Sequence, residues 1–520
     1  MNYKTIKITP LEAERILYEL YFIKGNATAL PGEVDFNFQI KIRDAESYIL
    51  KISRPDENEE SLDFQQKILL YLEEKDGSPR IIKDKNGMTT SEIVDTSGKI
   101  RKVRLLPWIS GRVWSRVNPQ LDDLRFSLGK KCGMLTRTLE GFVHPMMYRT
   151  LDWDVKQSLW TKNHLDIFSS EEKEIISFFQ EKFESFQDTY SKLRKGVIHN
   201  DANDNNIVVT PDLISPRVKA LIDFGDAIHT QTINDLAIAC AYAIMHFNDP
   251  LGASIPLVQG YNSSYPLQED ELKHLYTCIA MRLVITVTKS AINKFKEPNN
   301  DYLIVSEKPA WEVLKKWRQI NSELAHYSFR QACGFSAHPK EVSFTSWAAV
   351  NHVQLSDLFP TIDREKVVPL DLSVSSTWLG HREEFNDLEL FQFKIDRLQK
   401  QQPDKIIAGG YLEPRSLYTS NEYERIGNNG PESRTIHLGI DFWLAEGTPI
   451  HALFDSEVVI AVNDAGNKEY GGLLVLKHQF DTLEFYTLYG HLTVASATAH
   501  NKGDQIKKGE KIAELATFPE

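Results

Sequence analysis

Cysteine is scarce: four in 520 residues (Cys132, Cys240, Cys278 and Cys333), with no CxxC pair. That excludes a zinc knuckle and a dithiol redox motif, and it fits core packing in a reducing compartment. Positive charge is also short, with 60 Lys and Arg against 72 Asp and Glu and a net charge of −12. Such a chain is a poor binder of phosphodiester backbones, so no nucleic-acid partner is expected. Long apolar runs are missing. The longest, LAIACAYAIM from Leu236 to Met245, is about half of what a bilayer crossing needs. The start, MNYKTIKITPLEAERIL, has no apolar signal core. Thr9, Pro10 and Glu12 instead make a helix start with an N-cap, a first-position proline and a reciprocal acid. The expectation is a cytoplasmic enzyme with no membrane partner. Internal repeats and low-complexity tracts are absent, and 42% hydrophobic with 25% charged residues is ordinary globular composition. The length predicts two to four domains.

Patterning divides the chain. Residues 1–110 mix strand and helix signals: VDFNFQIKI (Val34–Ile42) and SYILKIS (Ser47–Ser53) alternate as strands around the turn RDAE, and the stretch from Leu62 to Leu72 has helical apolar spacing. VRLLPWISG (Val103–Gly111) reads as extended and ends in a turn. Residues 111–335 are mainly helical, with a short strand pair near 197–225. Residues 336–405 are irregular, punctuated by Pro339, Pro360, Pro369 and Pro403, with a charged helical stretch near EEFNDLELFQFKIDRLQKQQ; they read as a partly structured connector. Residues 406–520 alternate glycine-rich turns with short β-branched runs, the texture of an all-β module.

The most informative stretch is GVIHNDANDNNIVVTPDLISPRVKALIDFGDA, Gly196 to Ala227. It reads as a polar loop, a strand, a turn and a second strand. Phosphoryl transfer needs a group to take a hydroxyl proton and oxygen ligands to hold magnesium against phosphates. Asp201 suits the first task. Asn206, five residues on, offers an amide oxygen, and Asp223 at the end of the second strand offers a carboxylate. A strand–turn–strand returns both ends to one edge, so the three groups can converge.

HxDxxxxN followed by DFGD resembles the aminoglycoside phosphotransferase and choline kinase group, nearest to the hydroxylysine kinases, over about residues 10–335. The resemblance implies an α+β protein-kinase-like two-lobe fold, with lobes at 1–110 and 111–335, that uses ATP and Mg. It implies Asp201 as catalytic base, Asn206 and Asp223 as magnesium ligands, and Lys51 as the strand lysine on the α- and β-phosphates. Val103–Gly111 becomes the adenine hinge and Asp235 a carboxylate supporting the catalytic loop. Three positions depart from the family pattern. Asn200 replaces the glycine of HGD, Asp63 stands where the lysine's helical glutamate partner aligns (with Glu59 and Glu60 nearby), and the phosphate loop keeps only Gly32. The implied acceptor is a small-molecule amino alcohol, hydroxylysine- or ethanolamine-like. An ammonium group seeks carboxylates or aromatic faces, and Asp226, Tyr242, Trp311 and Trp317 are residues of those types with no role assigned.

Near the C-terminus, His437 and Asp441 in HLGIDF are four residues apart. On a straight strand they would stand about 13 Å apart, too far to share an ion unless Gly439 permits a bend. The wider pattern (HLGIDF, GTPIHALFDSEVV, YGGLLVLKH, YTLYGHL, KKGEKIAE) resembles lysostaphin/LytM-type zinc endopeptidases over about 406–520. His437 and Asp441 then correspond to Zn ligands, and His491 to a histidine that assists peptidase catalysis. The family's third ligand lies in an HxH that does not occur downstream of His437. A catalytic zinc needs three protein ligands, and His451, His478 or His500 would have to substitute. The expectation is a truncated, inactive β module, the front of a longer protein. Fusions of this order resemble proteins that end in a pyridoxal-phosphate lyase, the implied partner module for fusion or docking. The expected function is an ATP-dependent phosphotransferase. The alternatives are a zinc endopeptidase with a degenerate kinase domain and a non-catalytic scaffold.

Overall fold

Alternating apolar residues at the N-terminal end build a five-stranded antiparallel sheet. Its strands are β1 (Asn26–Leu30), β2 (Phe36–Lys41), β3 (Ser47–Ile52), β4 (Ser91–Val94) and β5 (Ile100–Pro107), in the order β1-β2-β3-β5-β4. Helix α1 (Pro10–Tyr21) starts with the capping box expected at Thr9 and Glu12 and lays Ile16 and Leu17 on the sheet. The inward set is Phe38 and Ile40, Leu50 and Ile52, Val103 and Leu105. Successive strand residues face opposite ways, so Lys51, between Leu50 and Ile52, lies on the other face, in register with Asn37 and Arg104. Helix α2 (Glu59–Asp76) is capped by the Asn58 side chain and stops at Gly77, whose φ of 70° favours glycine. The computed structural model describes residues 8–517 except 31–34, 43–46, 56, 79, 297–305, 363–366, 379, 381–386, 404, 416–417, 419–422 and 467–468. Gly32, the RDAE turn, the first residues of the charged stretch before Leu388 and the last three residues of the chain therefore lie outside the described residues.

Beyond β5 the chain turns helical, with α3 (Asp122–Thr138), α4 (Ser170–Ser185), α5 (Gln187–Tyr190), α6 (Ile233–Ala243), α7 (Pro250–Ser264), α8 (Glu269–Lys296), α9 (Glu307–Gln319) and α10 (Ser322–Ala332). Set among them are β6 (Arg112–Val113), β8 (Ile207–Val209) and β9 (Val218–Leu221) in one small sheet, and the pair β7 (Lys195–Ile198) and β10 (Ile228–Gln231). Helices α3 and α7 meet through glycine: a Cβ on Gly129 would lie 1.9 Å from the Leu257 carbonyl oxygen, and one on Gly260 would lie 2.0 Å from that of Phe126. Every residue of α6 is buried, so the apolar run at 236–245 is core. Helix α8 is long and apolar enough by composition to cross a membrane, yet 89% of its apolar window is buried within the protein.

The chain separates into two units, Met1–Ala337 and His338–Glu520. The second is built on a four-stranded sheet ordered β13-β12-β11-β14, with β11 at Ser456–Asp464, β12 at Gly471–Phe480, β13 at Leu483–Leu492 and β14 at Gln505–Ile506. Val458, Leu474, Leu476 and Leu492 fill its core. Part of the stretch read as a connector belongs to this unit. Phe359 packs into that core, and Val367–Leu370 pairs in parallel with Ile406–Gly409. Helix Leu388–Gln401 buries Ile395 beside Leu370 and Ile407.

Candidate active site

The catalytic-loop candidate leaves β7 and turns sharply at Asn200, whose φ is 64°. This is the left-handed region that glycine fills most easily and asparagine tolerates better than most residues, which accounts for HND where the family has HGD. Asn200 is fully buried, and its side-chain nitrogen and oxygen have no hydrogen-bond partner among the described residues. Its backbone N–H donates to Asp235 Oδ1 at 3.3 Å, and Thr136 Oγ1 donates to Asp235 Oδ2 at 3.1 Å. Asp235 thus braces the loop from α6, and burial raises its pKa to about 6. His199 braces it from the other side: one ring nitrogen bonds the Ile222 carbonyl at 3.0 Å and the other accepts the Asp201 N–H at 3.2 Å. That pattern fixes a neutral tautomer, consistent with burial lowering the His199 pKa to about 4.

Asp201 projects from this braced loop. Its Oδ2 accepts from Asn203 Nδ2 at 3.0 Å and from Asn206 Nδ2 at 2.7 Å, and its Oδ1 accepts from Arg282 Nη2 at 2.9 Å. Burial raises the Asp201 pKa above the carboxylate range while the Arg282 guanidinium opposes the rise. Asn206 Nδ2 also donates to the Asp201 carbonyl at 3.1 Å. With the amide nitrogen committed twice, Asn206 Oδ1 has no hydrogen bond among the described residues and is left to face a cation.

Asp223 follows β9 at φ 66°, another left-handed position. Its Oδ2 is 3.2 Å from Lys51 Nζ and its Oδ1 accepts the Gly225 N–H at 3.1 Å. The Lys51 ammonium holds Asp223 below the usual carboxylate range. The Asp223 side chain remains 47% exposed, so lone pairs are left for a metal. Asn206 Oδ1 and the Asp223 carboxylate are hard oxygen donors of the kind Mg²⁺ takes, so this part of the site fits magnesium.

Asp63 is not brought to Lys51. Its carboxylate bonds His144 Nε2 at 3.1 Å, and Glu59 pairs with Lys102 at 2.6 Å. Helix α2 reaches the sheet through a different cation: Arg104, across the ladder from Lys51, donates to Gln65 Oε1 at 3.1 Å. Asp63 is taken up by the histidine that opens the 144–148 turn, and the lysine finds its acid, Asp223, on the catalytic edge. The segment Val103–Gly111 spans the end of β5 and the turn into β6. Trp317 is fully buried against Tyr276 and Trp311 packs on Phe168, both in the core. Sequence reasoning missed Arg282, Arg149 and Arg104. Only their positions inside otherwise apolar or strand-like segments signal a buried charge that must meet a partner.

In the second unit the chain bends just after the two-residue strand Ile436–His437. His437 Nε2 stands 3.5 Å from Asp441 Oδ1, in place of the straight-strand separation. A Cβ at Gly439 would come within 3.3 Å of His437 Nε2, so the bend uses the missing side chain. His437 Nδ1 bonds the Gly410 carbonyl at 3.1 Å, which directs the Nε2 lone pair toward the aspartate, as in metal sites. Asp441 Oδ2 accepts from Arg415 Nη1 at 2.7 Å, and Arg415 Nε donates to Glu413 at 2.7 Å. His451, His478 and His500 do not complete the pair. The latter two bond Thr487 with the Asp455 carbonyl, and the Ile512 carbonyl. Among the described residues no group of three His, Cys, Asp or Glu is set to hold a metal. His491 holds Tyr470 and Ala516 through its backbone, and among the described residues no hydrogen bond ties its ring to His437 or Asp441. Two ligands do not make a catalytic zinc site, and no peptidase step follows from them.

Residues 26–266 match the family profile described as phosphotransferase enzyme family, and residues 435–518 match peptidase family M23. The chain is 27% identical over 342 residues to a hydroxylysine kinase of Xenopus laevis, covering 60% of this chain and 90% of the relative. It is 25% identical over 335 residues to that of Mus musculus, covering 59% and 89%. Among solved structures, an amicoumacin kinase bound to AMP-PNP superposes with TM-score 0.46 at 16% identity, over 59% of this chain and 96% of that one. A microcompartment-associated aminopropanol kinase gives 0.46 at 15%, over 61% and 97%.

Proposed function

We infer that this chain, which carries a phosphotransferase-family domain and an M23-family domain, is an ATP-dependent small-molecule kinase that phosphorylates the hydroxyl of a small amino alcohol, hydroxylysine- or ethanolamine-like. The observation that carries this reading is that Asn206 bonds Asp201, that the Ile222 N–H on the Asn206 carbonyl at 2.9 Å holds the segment bearing Asp223 beside that loop, and that Lys51 from a third segment pairs with Asp223. Hydroxylysine kinases spanning nearly their whole length are the named relatives.

In this reading the acceptor hydroxyl approaches Asp201, which takes its proton as the oxygen bonds the γ-phosphorus and the bond to the β-phosphate oxygen breaks, leaving ADP. Asn203, Asn206 and Arg282 hold the carboxylate in one orientation, so little reorganisation is left for the reaction itself. Lys51 supplies positive charge beside the phosphates. Asn206 and Asp223 would hold magnesium, whose role is to neutralise charge developing on the phosphate oxygens. An ATP requirement fits a cytoplasmic location. A product with phosphate beside an amine suits elimination by a pyridoxal-phosphate lyase module, the partner implied by the sequence resemblance. For the second unit, the oriented His437–Asp441 pair favours a zinc half-site as a second reading.

Asp201→Asn keeps the side chain's size but removes the base and the charge that faces Arg282. ADP release with amino alcohols should fall by about 10²–10⁴-fold while the variant still unfolds in a cooperative thermal transition. Retained turnover would refute the assignment.

A further inference from the structure

Helix α2 does not reach Lys51, yet it is tied to the catalytic edge by another route. The turn Pro145–Tyr148 lies between two residues that grip this helix. His144 caps the turn by accepting the Met146 N–H at 3.2 Å on Nδ1. Through Nε2 it bonds Asp63 at 3.1 Å, and its ring packs on Phe64 at 5.2 Å between centres. Arg149, at the other end, lays its guanidinium over the Phe64 ring, 5.3 Å from the ring centre, and brings Nη1 to 3.5 Å from Ser61 Oγ. Its remaining terminal nitrogen points away from α2. Arg149 Nη2 donates to the carbonyl of Gly225 and, at 2.9 Å, to that of Ala227.

Those two carbonyls belong to the segment that carries Asp223. A non-glycine residue at a φ of 66° keeps that left-handed conformation only where its surroundings hold it. Upstream, the Ile222 N–H on the Asn206 carbonyl at 2.9 Å and the His199 ring on the Ile222 carbonyl at 3.0 Å fix the chain. Downstream, the loop's own bonds are local: the Gly225 N–H to Asp223 Oδ1 at 3.1 Å and the Ala227 N–H to the Phe224 carbonyl at 3.3 Å. Such bonds shape a turn without anchoring it. The anchors are the Phe224 ring, buried in an apolar cluster with Phe64, Phe142 and Met147, and the Arg149 guanidinium. A ring can slide on apolar neighbours, whereas a planar fork of directional donors fixes the backbone it bonds.

We propose that Arg149 is a positioning residue for the metal loop. By holding the Gly225 and Ala227 carbonyls against α2 it keeps Asp223 in its left-handed conformation, with the carboxylate at Lys51, and so sets the site's affinity for the divalent cation that accompanies the nucleotide. The inference rests on the kinase reading above and assigns a role to a residue outside the motifs. It gives α2 the hold on the catalytic edge that an ion pair with Lys51 would have given it.

The test compares wild type with Arg149→Ala and Arg149→Lys. Without any ligand, amide exchange at Gly225 and Ala227 should be roughly tenfold faster in Arg149→Ala, the worth of one lost hydrogen bond in a local opening, while exchange across α6 stays at the wild-type rate. At a fixed concentration of AMP-PNP, Mn²⁺ should give its thermal stabilisation at roughly ten- to hundredfold higher concentration than in wild type. The Mg²⁺ requirement for ADP release with 2-aminoethanol or 5-hydroxylysine should rise by the same factor. KM for the alcohol should not change, and low millimolar guanidinium should restore part of the loss. Arg149→Lys keeps the charge but not the fork and should show the same changes in smaller measure; it carries the test if Arg149→Ala does not fold. Wild-type exchange of the loop in both variants overturns the assignment, and so does a lowered thermal midpoint with an unchanged metal requirement, which would leave Arg149 a role in stability alone. A wild type that takes up no Mn²⁺ with AMP-PNP and releases no ADP overturns the kinase reading, and the exchange measurement then decides separately whether Arg149 holds the loop.

Discussion

Two acid-bearing sites occupy one chain and are built differently. In the first unit Asp201 and Asp223 are held by side chains from the catalytic loop, β3 and α8. In the second, His437 and Asp441 come from one bend, supported by Gly410 and Arg415. A bend can bring two ligands together unaided. A reacting centre needs charges fixed from several directions, and only a packed helical lobe supplies them.

Removing Asp223, the acid proposed to hold magnesium, should separate the two sites most sharply. Asp223→Ala is expected to lower phosphoryl transfer on the order of 10³-fold, read as ADP release, with the fold kept because that side chain is half exposed. An effect below tenfold would erase the contrast. Arg282→Met comes next, since it leaves Asp201 buried without its cation. It should cost about 3–5 kcal/mol of first-unit stability, measured from urea midpoints. Arg415→Met should cost less, about 1–3 kcal/mol, because Asp441 is partly exposed. Equal losses would mean that both sites are equally fixed by packing.

Acidity tests the contrast further. Burial raises Asp201 to about 7 and Asp235 to about 6, so the native state holds protons that the unfolded chain releases near the ordinary carboxylate value. First-unit stability should decline as pH rises from about 4 through 7. Transfer should rise over the upper part of that window as Asp201 ionises and can accept a proton. Melting curves and kcat/KM across pH 4–8 check the opposed signs; parallel trends would contradict them. The smallest effect on transfer is expected from His437→Ala: none, with zinc affinity by equilibrium dialysis falling about 10–100-fold. Lost transfer in that variant would show that the two sites are coupled.

Much of this was legible beforehand. Asp201, Asn206 and Asp223 lie on one short strand–turn–strand, where spacing alone returns both ends to the same edge. The Thr9–Glu12 cap is local in the same sense. The partner of Lys51 was not legible: α2 offers several acids within one turn, and only the packed rotation of that helix sends Asp63 to His144 and leaves Asp223 to the lysine.

By itself the order of residues determined what is carried within about thirty positions: the two motif sets, the capped helix start, the buried run of α6, and the glycine that lets the chain bend at His437. Tertiary structure alone decided which charges meet. Arg282 lies 81 residues from Asp201 and Lys51 lies 172 from Asp223. Backbone geometry is set by neighbours along the chain, whereas the pairing of buried charges depends on which distant segments exclude water together.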